Sequence, residues 1–149
     1  SRLHAGSRRK EMSVQLALNV ENLDEALRFY PTLFGVDPAK RKPGYANFAI
    51  ENPPLKLVLF ESKEAGERLN HLGVEVFEAE EVTAATERLK SAGLETLVED
   101  ESTCCYAKQD KVWAIEPEGI RWEWYRVLED SETFSGQAPP SSTPERCCG

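Results

Sequence analysis

No apolar run in this chain approaches the roughly 18 residues of a membrane-spanning helix, which excludes a helical membrane protein. The N-terminal stretch, residues 1–11, carries Arg2, Arg8, Arg9 and Lys10 but no apolar segment of a secretory signal. It reads as a disordered leader or an expression remnant. Excess positive charge is also missing. The net charge is -8, which argues against nucleic acid held through its phosphates, and solubility is a sufficient account of the acidity. The four cysteines stand as two adjacent pairs, Cys104-Cys105 and Cys147-Cys148, without zinc-finger spacing. Without an export signal, a reducing cytoplasm and free thiols are expected. Adjacent cysteines are poor disulfide partners in any case, because α-carbons about 3.8 Å apart are closer than a relaxed bridge requires. Histidine is nearly absent: His4 lies in the leader, and His71 is the other.

What is present is enough for one domain with a real core: 149 residues, 40% hydrophobic and 30% charged. Val14, Leu16, Leu18 and Val20 alternate with Gln15, Ala17 and Asn19, a strand pattern. Asn22 and Glu25 then form a capping box for a helix carrying Leu23, Leu27, Tyr30 and Phe34 and ending near Gly35. Pro31 inside it predicts a kink or a shortened helix. Two strands follow, Tyr45 to Ile50 and Leu55 to Phe60, joined across Asn52-Pro53-Pro54.

From His71 the same order recurs. Leu72, Val74 and Val76 alternate with His71, Gly73 and Glu75. A helix with Val82, Ala85, Leu89 and Ala92 stops at Gly93, and strands are predicted over 95–98, 111–115 and 120–127. The pattern is an α+β fold of tandem βαβββ modules, about 12–66 and 67–128, forming a curved mixed β-sheet cleft with helices on its outer face. Residues 129–149, rich in Ser, Thr, Pro, Gly and Gln, read as a flexible tail.

The repeat pairs His71 with Gln15, 56 positions earlier, at the same place in its strand. If the modules pack as pseudo-symmetric partners, the two side chains converge. The last strand supplies a third group, Glu123, flanked by Trp122 and Trp124, where a carboxylate is costly unless paired or coordinated. Each has a plainer reading: a hydrogen-bonded structural histidine, a half-exposed glutamine, a salt-bridged glutamate. All three at matched positions favour a shared site. Val58 occupies the position equivalent to Glu123 in the first module, so a symmetric fourth ligand is missing and coordination positions are left open, as suits a ferrous or similar ion.

These features resemble the vicinal oxygen chelate superfamily, which includes glyoxalases and extradiol dioxygenases. Within it, the runs Tyr45-Ala46-Asn47-Phe48, Asn70-His71-Leu72-Gly73-Val74-Glu75-Val76, Thr103-Cys104-Cys105, Asp110-Lys111-Val112-Trp113 and Arg121-Trp122-Glu123 are similar to the organoarsenical C–As lyases and the related cadmium-induced proteins. The resemblance implies an Fe(II)-dependent, dioxygen-using enzyme that cleaves the carbon–arsenic bond of trivalent organoarsenicals. Gln15, His71 and Glu123 would be metal ligands, and Cys104 and Cys105 would bind arsenic. Gln15 stands where many superfamily members have His. Trivalent arsenic is soft and bonds thiolates, and two thiols suffice for a monosubstituted arsenical. Adjacent strand side chains diverge, so the pair is expected in a loop, for which the polar stretch Glu99 to Thr103 is suited. Packing of Cys104 as a small apolar residue is the plainer alternative. Cys147 and Cys148 are candidate accessory thiols, or incidental ones. The expected partner is a small-molecule organoarsenical, with neither nucleic acid nor membrane, and the protein is a monomer or homodimer. Rival readings are a glyoxalase or fosfomycin-resistance type of metalloenzyme and a non-catalytic protein sequestering Cd(II) or As(III).

Overall fold

The computed structural model describes residues 12–64, 66–104 and 107–130; of residues 100–104, 107, 129 and 130 it describes the backbone. The first alternating run forms β1 (Ser13–Val20). Asn22 then starts α1 (Leu23–Phe34), its side-chain oxygen accepting from the Glu25 N–H at 3.0 Å and satisfying one of the open donors of the first turn. Gly35, with φ of 71°, closes the helix. Pro31 does not shorten it. The helix continues to Phe34, and the Gly35 N–H donates to the Pro31 carbonyl at 2.7 Å. Proline forfeits its own N–H, but its carbonyl still serves the last turn.

β2 (Lys40–Lys42), β3 (Tyr45–Ile50) and β4 (Leu55–Glu61) complete the first module. The second contains β5 (Leu69–Glu75), α2 (Ala79–Ser91), β6 (Thr96–Cys104), β7 (Ala107–Ile115) and β8 (Arg121–Asp130). β8 thus runs two residues beyond the expected domain limit at 128. The predicted leader and the tail beyond Asp130 lie outside the described residues.

All eight strands form one mixed sheet in the order β2-β3-β4-β1-β5-β8-β7-β6. The β1–β4 and β5–β8 pairs are parallel and the remaining pairs antiparallel. Read outward from the central β1–β5 pair, each module has the same strand order, so the modules are related by a pseudo-twofold axis between those strands. This is the tandem βαβββ arrangement, a curved open sheet carrying two helices. Leu27, Tyr30 and Phe34 of α1 pack on a core of Val20, Leu23, Ala46, Phe48, Ile50, Leu57 and Leu59. Arg88 of α2 lies over the Trp124 ring, 5.3 Å from its centroid. Both helices therefore occupy the face opposite to a second core of Ala17, Tyr45, Val58, Phe60 and Trp113. Among the described residues no helix is long and apolar enough to cross a membrane.

The faces of β1 and β5 are buried in an unexpected sense. Gln15, Ala17 and His71 are buried while Leu16, Leu72 and Val74 are only partly so, and Val14 is exposed. The polar face looks into the inner core and the aliphatic face onto the helix side.

The acidic stretch Glu99 to Thr103 is not a loop. β6 passes through it to Cys104, with a register shift against β7 between Glu99 and Ser102. Among the described residues β6 is an edge strand paired with β7 alone, and an edge tolerates charge that a central strand would not.

Candidate functional site

Strand register assembles the site. Gln15 pairs with Gly73, Gly73 with Glu123, and Glu123 with Trp113, a row crossing β1, β5, β8 and β7. Ala17 pairs with both His71 and Val58 in the adjacent row. An amide, an imidazole and a carboxylate from residues 15, 71 and 123 therefore meet between the modules, and all three side chains have 0% exposure. Gln15 is not the half-exposed residue of its plainer reading.

Gln15 Nε2 donates to Glu123 Oε2 at 2.5 Å and lies 3.1 Å from His71 Nε2. The third side, His71 Nε2 to Glu123 Oε2, is 3.0 Å. Gly73 makes room for this triangle. A Cβ added there would stand 2.8 Å from both Glu123 Cγ and the Glu123 carbonyl oxygen, and 3.0 Å from Gln15 Nε2.

Glu123 is ionised. Burial by itself would raise its pKa, but opposing causes, of which the Lys111 ammonium is the largest, lower it to about 2. Lys111 is itself fully buried. Its Nζ stands 2.9 Å from Glu123 Oε1, an ion pair out of hydrogen-bond alignment, and 5.4 Å from the Trp113 ring centroid. Trp113 also meets the His71 ring edge-on at 5.3 Å. Burial keeps the Tyr125 hydroxyl protonated by raising its pKa well above the ordinary value, with Glu75, Glu123 and Tyr45 adding to the effect.

The triangle can be tested for its fit to a metal ion. With Glu123 ionised, no placement of the remaining protons satisfies all three contacts. If His71 Nε2 accepts from Gln15, it faces Glu123 Oε2 lone pair to lone pair; if it carries hydrogen, it opposes the Gln15 N–H. Turning the amide over places two oxygens together. A cation among the three groups resolves the conflict: with the Gln15 amide turned over, its oxygen, His71 Nε2 and the Glu123 carboxylate would each present a lone pair to the ion. Neighbouring ligands of one octahedral ion lie about 3 Å apart, and His71 Nε2 and Glu123 Oε2 are 3.0 Å apart. Gln15 Oε1, Trp113 Nε1 and Tyr125 OH are buried without hydrogen-bond partners among the described residues, polar capacity that a bound group would use. The donor set fits a divalent ion of the iron or manganese kind. Among the described residues no three His, Cys, Asp or Glu side chains form such a cluster; the Gln15 amide would have to complete the set.

The backbone of Cys104 stands apart from the triangle. Cys104 ends β6 and its backbone pairs with Ala107. Ala107 precedes Trp113, the partner of Glu123, by six residues on β7, about 20 Å at the rise of a strand. Cys105, Cys147 and Cys148 lie outside the described residues. Sequence patterning assigned no role to Lys111 or Gly73, although Lys111 shares its alternation phase with Trp113, which could have placed it on the inner face.

A model of the glyoxalase/bleomycin resistance protein/dioxygenase superfamily matches residues 13–124. The chain belongs to this superfamily. It is 55% identical over 139 residues to the cadmium-induced protein CadI of Mycobacterium tuberculosis, covering 91% of each chain. It is 54% identical over 123 residues to a trivalent organoarsenical cleaving enzyme of Thermomonospora curvata, covering 82% of each. The superfamily fold is also seen in the Mn(II)-bound glyoxalase of Novosphingobium aromaticivorans, which superposes with a TM-score of 0.59 at 16% identity, over 83% of this chain and 41% of that one.

Proposed function

We propose that this superfamily member is a C–As lyase, an Fe(II)-dependent enzyme that uses dioxygen to cleave trivalent organoarsenicals such as methylarsonous acid and trivalent aromatic arsenicals. The observation that carries this reading is the buried Gln15–His71–Glu123 triangle, in a chain similar throughout its fold to an organoarsenical cleaving enzyme. The Gln15 amide oxygen, His71 Nε2 and the Glu123 carboxylate would hold the ion. Bound there, Fe(II) would supply a redox-active centre with coordination positions left for dioxygen.

The surrounding residues have separable tasks. Lys111 keeps Glu123 ionised and oriented, because its ammonium has no solvent to turn to. Tyr45, Val58, Phe60 and Trp113 form an apolar wall that excludes water. Cys104 and Cys105 hold arsenic through their thiols, with Cys147 and Cys148 as accessory thiols. The distance of Cys104 from the triangle along β7 requires β6 and β7 to bend between capture and reaction. For methylarsonous acid, the atoms of substrate and one dioxygen balance as arsenous acid and formaldehyde: the C–As bond breaks, carbon is oxidised, and arsenic leaves as As(III). In this reading the protein acts in the cytoplasm as a monomer or homodimer, with neither nucleic acid nor membrane as a partner.

The test is anaerobic reconstitution with Fe(II), addition of methylarsonous acid, then admission of air. Arsenite release that requires both iron and oxygen is expected. Tight arsenical binding without turnover would instead identify a sequestering protein. Cys104→Ala should abolish arsenical binding yet leave iron uptake intact; loss of iron uptake would overturn this division of roles.

A further inference from the structure

Asn70, next to His71, is buried, yet nothing in the proposed chemistry uses it. Its hydrogen bonds form a directed chain. The Asn19 amide donates through Nδ2 to the Glu67 carbonyl at 2.9 Å. A carbonyl only accepts, so that end of Asn19 is its NH2 group and the other end is its oxygen. Asn70 Nδ2 donates to this Asn19 Oδ1 at 3.0 Å, so the opposite end of Asn70 is also an oxygen. That oxygen stands 2.8 Å from His71 Nδ1, which must therefore carry hydrogen. Backbone contacts fix both amides. The Asn19 N–H donates to the Arg68 carbonyl at 2.7 Å, Arg68 Nε donates to the Asn19 carbonyl at 3.0 Å, and the Arg121 guanidinium donates to the Asn70 carbonyl.

We propose that Asn19 and Asn70 are positioning residues: a two-amide relay, anchored on the Glu67 carbonyl, that holds the His71 ring proton on Nδ1 and turns the Nε2 lone pair toward Gln15 and Glu123. The relay begins at the end of β1 and finishes on β5, so it also ties the tautomer to the docking of the two modules. A ligating histidine commonly donates its second N–H to a carboxylate, a carbonyl or water. Here a neutral amide does so, and its polarity is set by a second amide that does not touch the ring. The role in metal binding rests on the proposed function; the tautomer does not.

The experiment uses the 149-residue chain, metal-free and labelled with 15N-histidine, with His4→Gln to assign the two rings. Long-range 1H–15N spectra should show His71 with hydrogen on Nδ1. Asn70→Ala should move the population toward Nε2–H, while Asn70→Asp, which keeps an acceptor, should retain Nδ1–H. Asn19→Ala, remote from the ring, should produce a smaller shift in the same direction as Asn70→Ala. It remains informative should the Asn70 variant fail to fold. An Nε2–H wild type, or an Asn19→Ala spectrum identical to wild type, overturns the relay. Mn(II) titration followed by electron paramagnetic resonance should show binding weakened by about 10–100-fold in Asn70→Ala; an unchanged affinity overturns the positioning role. A wild type that shows the Nδ1–H tautomer but takes up neither Mn(II) nor Fe(II) upholds the relay and overturns the proposed function.

Discussion

The two halves of the sheet share a backbone plan and differ in chemistry at equivalent positions. Register aligns Gln15 with His71, Ala17 with Gly73, Val58 with Glu123, Phe60 with Tyr125, Asn47 with Trp113 and Tyr45 with Lys111. Where the second half has a buried carboxylate it also has a buried ammonium, and where the first half has Val58 it has neither. Buried charges are tolerable only when matched, so Glu123 and Lys111 are one feature rather than two. The first half contributes a ligand candidate and an apolar wall; the second contributes the imidazole, the carboxylate and the charge that keeps it ionised.

The largest expected effect comes from making the second half resemble the first at one position only. Glu123→Val leaves Lys111 buried without its counter-ion and should cost about 3–5 kcal/mol in urea unfolding, with metal uptake abolished. Adding Lys111→Met should recover most of that stability while metal uptake stays lost. A double variant no more stable than the single one would mean that the two charges are not coupled.

The Ala17–Gly73 difference comes next. Gly73→Ala places a methyl against Glu123 Cγ, the Glu123 carbonyl and the Gln15 amide. Since one of those atoms is backbone, rotamer change cannot relieve the clash. Overpacking of this kind costs about 1–3 kcal/mol, and it should weaken metal binding far more than that stability loss suggests. The converse change, Ala17→Gly, should leave metal binding intact. Metal titration and thermal unfolding of both variants separate a requirement specific to residue 73 from a general intolerance of the β1–β5 pair.

Much of this comparison was legible in the chain itself, because alternation and repeat spacing suffice to align two copies. Gln15, His71 and Glu123 could be brought together that way, and Val58 recognised as the missing equivalent. Other features were not legible, for physical reasons. β2 is three charged or half-exposed residues, Lys40, Arg41 and Lys42, with no alternation to betray it. The Glu99–Thr103 run looks like a loop because edge strands are permitted charge. Lys111 looks like a surface residue because its burial depends on a carboxylate twelve positions away. The polar sides of β1 and β5 look solvent-facing because one strand cannot reveal that another module covers it.

The smallest expected effect concerns how the two helices begin. α2 is capped from within its own sequence: Glu81 Oε2 accepts from the Glu78 N–H at 3.0 Å as part of a capping box. α1 adds a partner from across the fold, for Glu61 on β4 accepts from the Leu23 N–H at 3.0 Å. That backbone hydrogen bond is the main cause lowering the Glu61 pKa; partial desolvation opposes it, and Lys63 assists. A carboxyl whose pKa is lower folded than unfolded contributes stability above its unfolded value, here 4.5, and loses it as pH falls through the folded value. Glu61→Gln should therefore lower Tm slightly at pH 7, with the gap to wild type shrinking below about pH 4.5. Glu81→Gln keeps a side-chain oxygen that a capping box can use, so it should change α2 little. A Glu61 deficit independent of pH would show that side-chain packing, rather than charge at the helix start, joins α1 to the first module.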